Sequence, residues 1–260
     1  MPTIHADDGC PIHYEIEGRG DAPVLMLSNS LGTDLRMWDD QVAPFTEHFR
    51  LLRYDRRGHG QSGAPKGPYS MERFGRDVLA VLDALKIEKI NWCGLSMGGM
   101  VGMWLGANAP ARIDRLILSN TNFHYADKAP WADRIAFIRK NGLPAFVDTN
   151  MERWFTKGFR ERAPTAIARV KEMFVATPIE GYVGCCEAIR DMDFTQSNTR
   201  IAVPTMIIVG THDMATPPSA GEAIHRQIKG SKLAAVDAAH LANVEQPKAY
   251  AETVLGFLRG

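Results

Sequence analysis

The sequence predicts an α/β protein with a mostly parallel sheet, helices on both of its faces and one helical insertion. Three observations carry this. Continuous apolar runs, typical of strands covered on both faces, alternate with segments whose apolar residues recur at helical spacing. Such alternation builds parallel sheets through right-handed crossovers. One run, at residues 90–93, leads straight into Gly94-Leu95-Ser96-Met97-Gly98 and then into a helix-like stretch of small residues. Between residues 123 and 198 the strand-like runs stop, and the chain reads as helical and rich in arginine and aromatic residues.

In chain order, residues 11–17 alternate, with Ile12, Tyr14 and Ile16 on one face, as in an antiparallel strand near an edge. Val24-Leu25-Met26-Leu27 reads as a buried strand that empties into the loop Ser28-Asn29-Ser30-Leu31-Gly32-Thr33. A helical stretch with Trp38 and Phe45 follows. Residues 49–54 form a second buried strand, ending in Asp55-Arg56-Arg57-Gly58-His59-Gly60-Gln61-Ser62. That segment reads as a turn held by local hydrogen bonds, without a part in chemistry. Ser70 is placed to cap a helix reaching about Leu85, with Phe74, Val78, Val81, Leu82 and Leu85 at helical spacing. Residues 115–119 supply another strand, and residues 203–210 resume the sheet after the insertion. Thr216-Pro217-Pro218 starts a helix, residues 232–236 form the last strand and residues 246–258 the closing helix. Residues 1–122 and 199–260 thus form a core, and residues 123–198 a helical cap over the sheet's carboxyl edge. Ligands of open α/β sheets bind beyond the carboxyl ends of the strands, so the loops after Leu27, Leu95, Val209 and Val236 are expected to converge.

The strand–Gly-x-Ser-x-Gly–helix arrangement is a nucleophile elbow, in which the chain reverses at the serine and lifts its hydroxyl above the sheet. A Cβ at Gly94 or Gly98 would collide with the neighbouring strand or helix. The three-letter pattern alone recurs in about one chain in ten of this length, so the context decides. The four glycines at 94, 98, 99 and 102 do not match G-x-G-x-x-G, and no Gly-Lys-Ser/Thr follows. Ser96 is therefore read as a nucleophile, and the N–H of Met97, at the helix start, as an oxyanion donor.

A serine needs a base, and the base needs an orienting group. Of eight histidines, His240 follows the last strand among small residues, and Asp213 follows the strand before it. Ser96, Asp213, His240 is the chain order expected of this topology. The rivals have ordinary readings. His59 lies between glycines and hydrogen-bonds within its turn, and His212 points away from its neighbour Asp213. Asp237 is too near His240 in sequence to face it across a crevice. Ser119-Asn120-Thr121-Asn122 offers no carboxylate one strand earlier.

Composition narrows the partners. The 260 residues are 45% hydrophobic, and Lys plus Arg and Asp plus Glu are each 30. This balance gives no reason to expect nucleic acid or an anionic membrane. The amino-terminal residues lack the features of a signal peptide, and no apolar run has the length of a membrane span. The four cysteines, two of them adjacent at Cys185-Cys186, do not suggest a disulfide framework. Metal-ligand spacings are absent. A cytoplasmic protein without metal or cofactor is expected.

The chain resembles the α/β-hydrolases over essentially its whole length, through Gly-Leu-Ser-Met-Gly-Gly, Asp-Arg-Arg-Gly-His-Gly-Gln-Ser and Gly-Thr-His-Asp. Within them it is similar to the 3-oxoadipate enol-lactonases, through Asn29-Ser30-Leu31-Gly32-Thr33, residues 94–102, Gly210-Thr211-His212-Asp213 with Ala215-Thr216-Pro217-Pro218, and residues 239–247. The resemblance implies an eight-stranded sheet and the opening of 3-oxoadipate enol-lactone in aromatic breakdown by way of an acyl-enzyme. It also implies Leu31 N–H as the first oxyanion donor, beside Met97. The His-Gly usual at that loop in the wider superfamily is replaced here by Asn29-Ser30.

A carboxylate-bearing lactone calls for a cation beside an apolar pocket. Arg134, Arg139, Arg153 and Lys157 are candidates, with Arg134 preferred and Trp131 and Trp154 as walls. For each cation a solvated surface position is the bland alternative. Fold alone does not give function: other carboxylesterases, hydrolases that cleave carbon–carbon bonds of ring-fission products, and a small-ligand sensor remain as rival readings.

Overall fold

The computed structural model describes residues 2–260. Its sheet has eight strands, β1 (Thr3–His5), β2 (Pro11–Glu17), β3 (Val24–Ser28), β4 (Arg50–Tyr54), β5 (Ile90–Leu95), β6 (Ile113–Ser119), β7 (Thr205–Gly210) and β8 (Lys232–Val236), in the order β1-β2-β4-β3-β5-β6-β7-β8. The pairs β1–β2 and β2–β4 are antiparallel and the rest parallel. The edge strand β1 has no counterpart in the periodicity reading. Three residues with one apolar member cannot display a period of two, and Ile4 gains its meaning only from its place opposite Ile12.

The helices of the core are α1 (Asp39–Thr46), α2 (Met71–Ala84) and α3 (Met97–Asn108). Ser70 caps α2 as its sequence suggested, its Oγ accepting from Arg73 N–H at 3.1 Å. Between β6 and β7 the chain is helical: α4 (Ala129–Asn141), α5 (Val147–Trp154), α6 (Lys157–Arg162), α7 (Pro164–Ala176) and α8 (Ile179–Asp191). The two ends of this segment meet, with Phe194 N–H donating to the Phe123 carbonyl at 2.9 Å. Trp154, Phe155, Phe159 and Phe174 are buried in it, whereas Phe137 is exposed. The chain closes with α9 (Pro218–Gln227), α10 (Ala242–Glu245) and α11 (Pro247–Leu258). No described helix is long and apolar enough to cross a membrane.

Strand order fixes where chemistry can sit. From β3 the sheet grows to β4 on one side, and from its other neighbour, β5, it grows outward through β6, β7 and β8. The connections therefore part at the β3–β5 boundary, and a crevice opens beyond the carboxyl ends of those two strands. Ser28, the last residue of β3, pairs with Gly94 of β5. The loop after β3 and the turn at Ser96 consequently face one another.

Candidate active site

Ser96 stands between β5 and α3 at φ 57° and ψ −115°, a conformation costly for a residue with a side chain. Its surroundings fix it there. Ser96 N–H donates to the Ser119 carbonyl at 2.8 Å, and Thr121 Oγ1 donates to the Ser96 carbonyl at 2.7 Å. A Cβ on Gly94 would lie 2.1 Å from the Gly98 carbonyl oxygen, and one on Gly98 would lie 2.1 Å from that of Ser28. Helix and strands approach too closely for any side chain at either position.

Asp213 and His240 arrive from the loops after β7 and β8. His240 Nδ1 lies 2.8 Å from Asp213 Oδ2. An ionised carboxylate only accepts, so Nδ1 carries the proton and Nε2 is left with a lone pair. Asp213 receives further donors: Ala215 and Thr216 N–H on Oδ1 at 2.8 and 2.9 Å, and Thr216 Oγ1 and Asn120 Nδ2 on Oδ2 at 2.8 and 3.1 Å. Burial by itself raises this carboxyl. The positive charge His240 carries once protonated and its hydrogen bond, followed by the hydrogen bonds of Thr216, outweigh burial and hold it below its ordinary value. Asn120 thus occupies the place one strand earlier where no carboxylate was found, and supports Asp213 from there. The rivals pair elsewhere. His212 meets Asp237 at 2.8 Å in solvent, and His59 accepts from Gly32 N–H.

Ser96 and His240 line one cavity of about 210 Å³, together with Ser30, Leu31, Met100, Tyr125, Trp131, Arg134, Asn150, Arg153 and Trp154. Leu31 stands in the loop after β3. Met97 heads α3, where no intrahelical acceptor exists for its N–H. Its side chain turns away to Arg56, 3.2 Å from Sδ, so only its backbone is available to the site. Trp154 tilts over the His240 ring, centroids 6.1 Å apart.

The four candidate cations separate. Arg139 is ion-paired with Glu187, and exposed Lys157 with Glu161. Arg134 and Arg153 both line the cavity and make no ion pair among the described residues. Arg134 lies over Trp131 and Phe146, 4.7 and 5.0 Å from the ring centroids. Burial, then the like charge of Arg134, lowers the pKa of Arg153. One carboxylate, Asp127, also lines the cavity, and its Oδ1 accepts from Ala129 N–H.

The turn at residues 55–62 has the local hydrogen bonds its sequence suggested, among them Ser62 Oγ to the Asp55 carbonyl and Gln61 N–H to Asp55 Oδ2. Distant partners add to these, and through them the turn also grips the loop opposite Ser96. Asp55 accepts from Leu35 N–H at 2.8 Å, Arg56 donates to the Asn29 carbonyl, and His59 Nε2 accepts from Gly32 N–H at 2.8 Å. Arg57 binds Asp8 and Asp77. The sequence signal was present: charged residues and glycines crowd the carboxyl end of a buried strand. Glu245 was also missed. Its carboxylate takes Ala239 N–H at 3.0 Å, beside His240, and both the N–H and hydroxyl of Thr156 at the start of α6. No group of three or more His, Cys, Asp or Glu placed to hold a metal occurs among the described residues.

The family model for the alpha/beta hydrolase fold matches residues 23–247. The chain is 37% identical to 3-oxoadipate enol-lactonase 2 of Acinetobacter baylyi, over 98% of this chain and 97% of that protein. The enol-lactonase from Burkholderia xenovorans LB400 is 44% identical and superposes with a TM-score of 0.97, all of both chains being covered. A hydrolase from Pseudomonas aeruginosa PA01 is 42% identical, also with a TM-score of 0.97, over 100% of this chain and 98% of that one.

Proposed function

Because the chain belongs to the alpha/beta hydrolase fold family, we propose that it hydrolyses 3-oxoadipate enol-lactone to 3-oxoadipate in aromatic catabolism, with Ser96, His240 and Asp213 as its catalytic triad. One observation carries the choice of substrate. Two guanidiniums without carboxylate partners, Arg134 and Arg153, face the cavity that Ser96 and His240 line. A lactone carrying a free carboxylate supplies the missing anion and presents its carbonyl to the serine. The names of the similar enol-lactonases support the same choice.

His240 Nε2 takes the Ser96 proton as Oγ attacks the lactone carbonyl. Asp213 keeps the proton on Nδ1 and stabilises the imidazolium that forms. The N–H groups of Leu31 and Met97 meet the tetrahedral oxyanion; one such donor is typically worth roughly 10²–10³ in kcat. Collapse breaks the ring C–O bond. The leaving oxygen departs as an enolate and takes the proton from His240 to give the enol, which tautomerises to the ketone. Water, giving its proton to His240, then attacks the acyl-enzyme and releases the second carboxylate and Ser96. Arg134 and Arg153 hold the substrate's own carboxylate, between the Trp131 and Trp154 walls of a cap spanning residues 123–198. Four free, buried cysteines fit a cytoplasmic location.

A substrate panel tests the reading. The free-acid lactone is expected to exceed its uncharged methyl ester in kcat/KM, and both to exceed ring-fission diketones. Preference for the methyl ester, or turnover confined to carbon–carbon cleavage, would overturn it. Tight retention of the product without turnover would favour a sensor.

A further inference from the structure

The loop after β3 holds a hydroxyl that the mechanism above does not use. Ser30 is wholly buried and lines the cavity with Ser96 and His240. Its backbone is engaged elsewhere: the N–H donates to Met37 Sδ at 3.3 Å, and the carbonyl accepts from Thr33 Oγ1 at 2.9 Å. Its Oγ has no hydrogen-bond partner among the described residues. A buried hydroxyl left in that state costs a folded protein free energy.

The position gives the hydroxyl a use. Ser30 directly precedes Leu31, and the pairing of Ser28 with Gly94 sets the ends of β3 and β5 side by side. Ser30 lines the same cavity as Ser96 and precedes the residue whose N–H is assigned to the oxyanion, so the loop that carries its hydroxyl borders the place where that charge would develop. We propose that Ser30 Oγ is a third hydrogen-bond donor to that oxyanion, beside the N–H groups of Leu31 and Met97. This rests on the acyl-transfer reading above. A donor unsatisfied in the free protein and satisfied in the transition state contributes selectively to kcat, because its interaction appears only as charge builds on the oxygen.

The test compares Ser30→Ala and Ser30→Thr with the wild-type protein on the enol-lactone and on p-nitrophenyl acetate, with thermal unfolding followed alongside. Ser30→Ala is expected to lower kcat at least about tenfold on both substrates, toward the roughly 10²–10³ of one oxyanion donor. KM should move little, and the melting temperature should stay the same or rise, since an unpartnered polar group has been removed. Ser30→Thr, which keeps the hydroxyl, should recover a substantial part of the rate. An unchanged kcat in Ser30→Ala would overturn the proposal. So would a loss confined to the lactone, or a fall in melting temperature that accompanies the loss of rate. If the wild-type protein hydrolyses the ester with this Ser30 dependence but leaves the lactone intact, the donor role stands and the substrate assignment fails. Inactivity of the wild type on both would overturn both.

Discussion

Two guanidiniums set the electrostatic character of the cavity. Arg134 is held by the faces of Trp131 and Phe146 rather than by a carboxylate, and Arg153 is half-enclosed beside it. Like charges confined together raise the local potential and favour an anion between them. Hydrogen bonds to a charged group are worth about 1.5–3 kcal/mol. Arg134→Gln and Arg153→Gln are therefore each expected to raise KM for the enol-lactone roughly tenfold to a hundredfold. Hydrolysis of an uncharged ester should be affected far less, and steady-state kinetics on the two substrates reads the difference. Equal losses on both would mean that the arginines only support the fold. Sequence alone named these two among four cations and preferred Arg134, but carried no mark that Arg153 shares its cavity. Whether an arginine on a helix meets a glutamate, an aromatic face or a cavity depends on the packing of α4 and α5 against the rest of the molecule.

Between elements, two clasps hold the site together. The turn after β4 grips the loop after β3 through Asp55, Arg56 and His59. Glu245, in α10, ties the start of α6 to the residue before His240. The second clasp makes a direct prediction. Glu245→Ala strands a buried N–H at Ala239 and removes the anchor of Thr156, so stability is expected to fall by about 1–3 kcal/mol. Its kcat should fall as well, because the His240 loop loosens. Glu245→Gln keeps an acceptor oxygen and should lose less of both. Chemical unfolding with kinetics on the same samples checks this, and an Ala variant as stable and active as the wild type would contradict it. The strand and helix of the elbow were legible because their signals lie within a dozen residues. The clasps were not, because each joins segments whose meeting is decided by sheet order. A glutamate six residues after Asp237-Ala238-Ala239 carries no local mark of its partner at Thr156.

Over the whole molecule, the parallel core was readable from its buried runs, and the order of Ser96, Asp213 and His240 followed from which strand each succeeds. The acid stability of the fold depends on groups the pattern left unassigned. His59 is fully buried; burial, then the charge of Arg56, lowers its pKa to about 3. The unfolded chain takes up this proton near pH 6.5, so from pH 6.5 down to about 3 the unfolded state binds more protons. Stability falls with pH across that window, by up to about 1.4 kcal/mol per unit from this group. Asp55 acts in the opposite sense, since burial raises it to about 6, and its uptake of a proton on the folded chain favours folding as pH drops from there. The difference between variant and wild type isolates the histidine. His59→Gln retains an acceptor for Gly32 N–H but does not titrate, so its stability deficit should shrink as pH falls from 7 to 4. A deficit that stays constant across this range in thermal unfolding would contradict the assignment.

The most direct measurement is the loss of enol-lactone ultraviolet absorbance with purified wild-type protein and with Ser96→Ala at equal concentration. The account predicts rapid ring opening by the wild type and a fall to about the uncatalysed rate in the variant, which keeps the fold and the cavity but lacks the nucleophile. Ring opening at an undiminished rate by Ser96→Ala, or no ring opening by the wild type, would contradict it.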